Sequence, residues 1–288
     1  MDNGTAVQVS GLRKSYGELT AVNGLDLEIG TGEVFALLGP NGAGKTTTVE
    51  ILEGFRRRDG GTVAVLGTDP AHGDRAWRAR IGIVLQLGGS VEQLGQLPLS
   101  VLEMVRHVAG FYPAPRDPAR TIDLVGLSAK ARSRIRTLSG GQLRRLEVAL
   151  GIVGRPELLF LDEPTTGFDP EARRQFWELI RVLREDGTTI LLTTHYLDEA
   201  EELADRIAVV AGGRKVAEGD PATLGGRAAG LATVSWDGRD GREATQTVTP
   251  TKVVTELAAE FGGEIPALTV TRPTLEDVYL RLIEEAQA

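Results

Sequence analysis

An α/β fold is predicted, with a parallel sheet at its centre, an antiparallel β subdomain, a helical subdomain and a small α+β domain at the C-terminal end. Three observations predict it. A glycine-rich loop from Gly39 to Thr47 lies between an apolar run and a helical stretch. Further short apolar runs, at 158–161 and 189–192, end in acidic or polar residues, as buried parallel strands do at their ligand-facing ends. The chain has 288 residues, 41% of them hydrophobic, which at roughly 150 residues per domain suits one large domain and one small one.

The elements follow in order. Alternating residues over 5–13 and 20–29 predict two antiparallel strands, with Tyr16 in the turn between them. Residues 34–38, Val-Phe-Ala-Leu-Leu, read as a buried strand, and 46–53 as a helix. Between them the chain matches G-x-x-x-x-G-K-[ST]. In that pattern Gly39, Gly42 and Gly44 let backbone N–H groups converge on phosphate oxygens, Lys45 supplies positive charge to the outer phosphates, and Thr46 offers a hydroxyl to Mg²⁺. The helix that follows aims its positive end at the same phosphates. A nucleoside triphosphate is the implied ligand.

Residues 81–86 predict another strand, ending at Gln86. From about 87 to 150 the pattern turns helical, with Val101, Leu102, Val105, Val108 and Ala109 on one side and Pro113, Pro115 and Pro118 breaking the run. Leu138-Ser139-Gly140-Gly141-Gln142 then opens a helix over 142–153, with Ser139 as its N-cap. The apolar run 158–161 delivers Asp162 and Glu163 side by side to a strand end. There Asp162 would reach Mg²⁺, and Glu163 would orient or deprotonate an attacking water. Closing strands are expected at 206–210 and 215–218. A boundary falls near Gly225-Gly226, dividing residues 1–224 from 225–288. Beyond it come strands at 231–236 and 244–248, a helix at 251–261, a strand at 265–271 and a helix at 274–285.

Composition narrows the function. A net charge of −8 argues against broad nucleic-acid binding, and the arginine clusters at 56–58 and at Arg132, Arg134, Arg136, Arg144 and Arg145 read as mostly solvated faces. There is no cysteine, so neither a disulfide framework nor thiol chemistry is expected. No run approaches the roughly 20 apolar residues needed to cross a bilayer, so membrane work falls to another polypeptide. Five lysines against 27 arginines fit the codon usage of a GC-rich bacterial genome.

Taken together in this order and spacing, the motifs resemble those of the ATP-binding subunit of an ABC transporter, over about residues 7–218. Lys45, Ser139, Asp162 and His195 follow at intervals of 94, 23 and 33 residues. The resemblance implies a P-loop NTPase core that binds ATP and Mg²⁺ through Gly39, Asn41, Gly42, Ala43, Gly44, Lys45, Thr46 and Thr47. It implies Glu163, His195, Gln86 and Lys45 as catalytic residues and Thr46, Gln86 and Asp162 at the metal. Tyr16 is similar to the aromatic residue that stacks on adenine, and Asp169 to the aspartate that links two sites. Ser139, Gly140, Gly141 and Gln142 resemble the segment that touches the γ-phosphate of ATP held by a second copy, so a head-to-tail homodimer is implied. Leu143 and Phe168 depart from the polar residue and the leucine usual in relatives.

Residues 273–280 and 196–201 resemble the daunorubicin-resistance type of exporter ATPase. A cytoplasmic protein, peripheral on the inner membrane face through a separate integral permease and binding no nucleic acid, is the implied setting. The C-terminal domain is expected to serve dimerisation or regulation. ABC ATPases of DNA maintenance or translation are the alternative, but those carry a long coiled coil, zinc-binding cysteines or two cassettes in one chain. A simple P-loop kinase has no use for residues 138–142.

Overall fold

The computed structural model describes residues 4–84, 98–238 and 241–287. The chain begins with two long strands, β1 (Thr5–Tyr16) and β2 (Leu19–Gly30), paired antiparallel. Tyr16 is therefore the last residue of β1, paired with Leu19, and not part of the turn. Next come β3 (Val34–Leu38), α1 (Lys45–Leu52) and β4 (Gly60–Val65), which adds to the free side of β1 and completes a sheet of order β2-β1-β4. After a short α2 (Arg75–Arg78) the chain enters β5 (Ile81–Val84).

The helical arm comprises α3 (Val101–Ala109) and α4 (Pro118–Leu124), leading into α5 (Gly140–Ile152). Helix α3 is closed at its start by a capping box between Ser100 and Glu103, and it buries Val101, Val105 and Ala109, one face at helical spacing. Then β6 (Leu158–Asp162), α6 (Pro170–Glu185), β7 (Thr189–Thr193), α7 (Leu197–Leu203), β8 (Arg206–Ala211) and β9 (Arg214–Gly219) alternate.

Strands β5, β6, β7, β3 and β8 lie parallel in that order, with β9 antiparallel at the edge. Every residue of β3, β6 and β7 is buried, as expected of central strands covered on both faces. One face packs against the antiparallel sheet and α1 through Phe35, Leu37 and Phe160, while the other packs against the arm and α6 through Ala36, Leu159 and Leu161. Each fully buried leucine or phenylalanine contributes about 1.5–3 kcal/mol. Because the central strands are parallel, the loops after β3, β6 and β7 all emerge at one edge, where ligands sit in open α/β sheets.

The C-terminal segment forms a third sheet from β10 (Ala232–Gly238), β11 (Gly241–Thr247) and, beyond α8 (Pro250–Phe261), β12 (Thr269–Thr271). It has its own small core of Val234, Trp236, Leu257 and Ile265. Strand β12 is shorter than the pattern predicts because Ile265 turns into that core before pairing begins at Thr269. The last helix, α9 (Leu275–Gln287), leaves this unit and returns to the core of the larger parallel sheet, burying Leu275 and packing Tyr279, Leu282 and Ile283 against it. Thr274 and Asp277 close a capping box at its start, with Asp277 accepting at 2.8 and 2.7 Å and the Thr274 hydroxyl accepting from the Asp277 N–H at 3.1 Å.

Candidate functional site

The loop between β3 and α1 is shaped by two glycines that admit no side chain. A Cβ on Gly39 would lie 2.3 Å from the Val210 carbonyl oxygen, and one on Gly44, at φ +98°, would lie 2.2 Å from that of Ala21. Gly44 is the N-cap of α1 and lends no side chain to the first turn, so the helix start is open to an anion. Lys45 is buried, and its Nζ donates to the Gly39 carbonyl at 2.6 Å and the Pro40 carbonyl at 3.1 Å, holding the ammonium inside the loop it serves. Burial pulls the Lys45 pKa down, and Glu163 and Asp162 hold it up. Asn41 and Thr46 are exposed at the same loop.

Asp162 ends β6 and pairs in register with Thr193 at the end of β7, whose hydroxyl donates to its carboxylate. Burial raises the Asp162 pKa, and the Thr193 hydroxyl opposes that rise. The next residue, Glu163, has φ +45°, a left-handed conformation rare for this side chain. Its N–H donates to the Thr193 carbonyl at 3.0 Å and stands 3.2 Å from the Thr193 hydroxyl. Its carboxylate Oε1 lies 3.3 Å from His195 Nδ1. Lys45, Asp162, Glu163 and His195 thus converge at the C-terminal edge of the parallel sheet.

The Ser139 corner is built differently. Ser139 Oγ accepts from the Gln142 N–H at 3.3 Å and Gln142 Oε1 accepts from the Ser139 N–H at 3.1 Å, a reciprocal capping box. Among the described residues, and outside the helix's own backbone and chain neighbours, no atom lies within 4 Å of where a Cβ on Gly140 or Gly141 would stand, so these residues leave open space over this helix start. Leu143 packs half-buried against the core.

Arg144 overturns the reading of its cluster as a solvated face. It is 0% exposed. Its guanidinium donates to the Pro164 carbonyl at 3.1 Å, the Asp162 carbonyl at 3.1 Å and the Glu147 carboxylate at 2.9 Å. Its neighbour Arg145 points outward to Gln175. The 56–58 cluster is also ion-paired, Arg56 with Glu50 and Arg58 bidentately with Asp69, whose carboxyl those guanidinium bonds hold at about 2.

The remaining expected residues fall around this centre. Tyr16 is 39% exposed, with the Arg56 guanidinium 5.2 Å from its ring centroid, so it stands at the surface and not in the core. Asp169 caps α6, accepting from the Ala172 N–H at 2.7 Å. Phe168 is accommodated edge-on against Phe176, with 6.0 Å between ring centroids. Gln86 lies outside the described residues. Sequence reasoning missed Thr193 as the partner of Asp162; the facing ends of two parallel strands are the signal that locates it. It also missed two buried acids. Burial raises Glu199 beneath Thr194 and Thr165, and Glu53, at the end of α1, is pushed up to about 8 by burial and by the nearby Asp162 and Glu50.

Chemically, the arrangement offers an anion cradle with one buried cation, a hard-oxygen pair in Thr46 and Asp162 suited to Mg²⁺, and a carboxylate beside an imidazole able to direct a water.

The sequence profile of the family described as ABC transporter matches residues 22–166. The daunorubicin/doxorubicin resistance ATP-binding protein DrrA of Streptomyces peucetius is 46% identical over 221 residues, 76% of this chain and 66% of that relative. The daunorubicin resistance ATP-binding protein DrrA3 of Streptomyces coeruleorubidus is 39% identical over 306 residues, 96% of each chain. The Nod factor export ATP-binding protein I of Paraburkholderia xenovorans (strain LB400) is 38% identical over 298 residues, again 96% of each. Among solved structures, an ATP-binding subunit of an ABC transporter superposes with a TM-score of 0.70 at 21% identity, covering 96% of this chain and 99% of that one. The dimeric bacterial cassette MJ0796 gives 0.64 at 24% identity, covering 74% and 98%; both likenesses speak for the fold.

Proposed function

The chain belongs to the ABC transporter family as an ATP-binding subunit whose ATP hydrolysis is coupled to transport, and from that premise we propose how its residues divide the work. Each ATP is held between the β3–α1 loop of one protomer and the Ser139 corner of a second copy. The observation that carries this reading is the open helix start at Gly140 and Gly141, which the described residues of its own protomer leave uncovered. That MJ0796, a cassette of the same fold, is a dimer supports it.

Within one site, backbone N–H groups of Gly39, Asn41, Gly42, Ala43, Gly44, Lys45, Thr46 and Thr47 hold the phosphates, and the Lys45 ammonium is shared with the outer ones. Tyr16 stacks on adenine. Thr46 and Asp162, with Gln86, would hold Mg²⁺, which when bound neutralises charge on the outer phosphates. Glu163 orients the attacking water and accepts its proton, His195 fixes the Glu163 carboxylate and faces the γ-phosphate, and Asp169 looks toward the twin site. The twin's Ser139, Gly140, Gly141 and Gln142 complete the γ-phosphate shell.

No helix among the described residues is long and apolar enough to cross a membrane. We place the chain at the cytoplasmic membrane face, held by a separate permease. A groove of about 520 Å³ beside β5, lined by Phe55, Arg78, Ile83 and Tyr112 over Glu53, faces that permease, with Phe55 68% exposed as the contact it offers. Given the drug-resistance and Nod factor export roles of the relatives, a drug-like compound, a lipid or a polymer is the exported cargo. Co-purification with the permease and reconstitution in lipid vesicles tests this: Mg²⁺-dependent ATPase activity should be stimulated by a cargo of this class. A chain that hydrolyses ATP but is indifferent to any membrane permease, and binds DNA or ribosomes instead, would refute it.

A further inference from the structure

We infer that Arg144 is a positioning residue that ties the two nucleotide sites of the dimer together. The inference rests on the proposed sharing of ATP between protomers. Arg144 sits five residues beyond Ser139 in α5, about 7.5 Å along the axis at 1.5 Å per residue. Its helix therefore begins at the corner that meets the twin's ATP, while its guanidinium reaches the main chain on which the protomer's own Asp162 and Glu163 stand.

The two main-chain carbonyls it grips, Asp162 and Pro164, flank Glu163 on either side. Glu163 holds a strained left-handed backbone conformation that persists only where its surroundings fix it. Thr193 pins its N–H from β7, and Arg144 pins both neighbouring carbonyls from α5. A shift of α5 as its corner closes on one nucleotide is thereby delivered to the residue that directs water at the other. The planar fork is essential to a three-way grip, with Glu147 balancing the buried charge; a lysine ammonium cannot reproduce it.

The test uses the full chain carrying Arg144→Lys, with Arg144→Met/Glu147→Met as a second variant that replaces the buried pair with apolar side chains and keeps the fold accessible. Three quantities are read: ATP affinity of the monomer, dimerisation driven by Mg²⁺ and a non-hydrolysable ATP analogue, and single-turnover ATP hydrolysis at saturating dimer. Monomer affinity should stay within about twofold, while dimerisation weakens about tenfold and hydrolysis within the dimer slows about tenfold, the size of effect expected of a network residue touching neither ligand. A residue that only supports the fold would lower thermal stability and leave both rates per folded protomer intact. If either dimerisation or hydrolysis in the dimer stays at the wild-type value, the link is refuted. Failure of the wild-type chain itself to dimerise with nucleotide would count against the shared-site reading, not against Arg144.

Discussion

His195 Nδ1 lies 3.3 Å from Glu163 Oε1, at the ends of adjacent parallel strands that also pair Asp162 with Thr193. The contact aims a carboxylate whose backbone is already fixed at φ +45°. Glu163→Gln keeps the shape and removes the proposed base. It should leave ATP affinity unchanged and slow turnover by roughly 10² or more. Steady-state ATPase assays against nucleotide titration check this.

Lys45 is held by the Gly39 and Pro40 carbonyls, so its charge is in place before ATP arrives. Lys45→Ala should raise the Kd for ATP by about 10-fold or more, the worth of one charge-assisted hydrogen bond. Calorimetric titration measures it.

Two glycines should respond in opposite ways. Gly44→Ala drives a Cβ to 2.2 Å from the Ala21 oxygen at φ +98°, and should lower Tm by several degrees through about 2 kcal/mol or more of strain. Gly141→Ala meets nothing within 4 Å among the described residues beyond its own helix, and should leave Tm unchanged while abolishing ATP-driven dimerisation. Thermal melts alongside sedimentation distinguish the two.

Phosphate binding needs particular residue types at fixed spacing, so the loop glycines, Lys45, Ser139, Asp162 and Glu163 could be singled out as candidates from order alone, and the structure brings Lys45, Asp162 and Glu163 to one sheet edge. Arg144 could not. Adjacent helical residues differ by about 100°, so of two neighbouring arginines one faces Gln175 and the other enters the core, and only packing tells which. The short β12 and the return of α9 to the ATPase core were hidden for the same reason, since apolar periodicity marks a buried face without naming what buries it. Glu53 and Glu199 look like ordinary polar helix positions until the neighbouring layers are placed over them.

Glu53 makes stability depend on pH. Its folded pKa of about 8 exceeds the ordinary 4.5, so the folded state binds the extra proton and stability falls as pH rises from about 4.5 to 8. Glu53→Gln should match the parent near pH 5 and exceed it by at least about 1 kcal/mol at pH 8.5 without nucleotide. Denaturant melts at the two pH values read the difference.

The central claim is that one ATP is enclosed by two copies of the chain, and sedimentation of the Glu163→Gln protein at saturating ATP and magnesium tests it most directly. The account predicts a species of twice the protomer mass that reverts to monomer when nucleotide is withdrawn or when Gly141→Ala is added. A strictly monomeric protein under those conditions, even beside its permease, would contradict it.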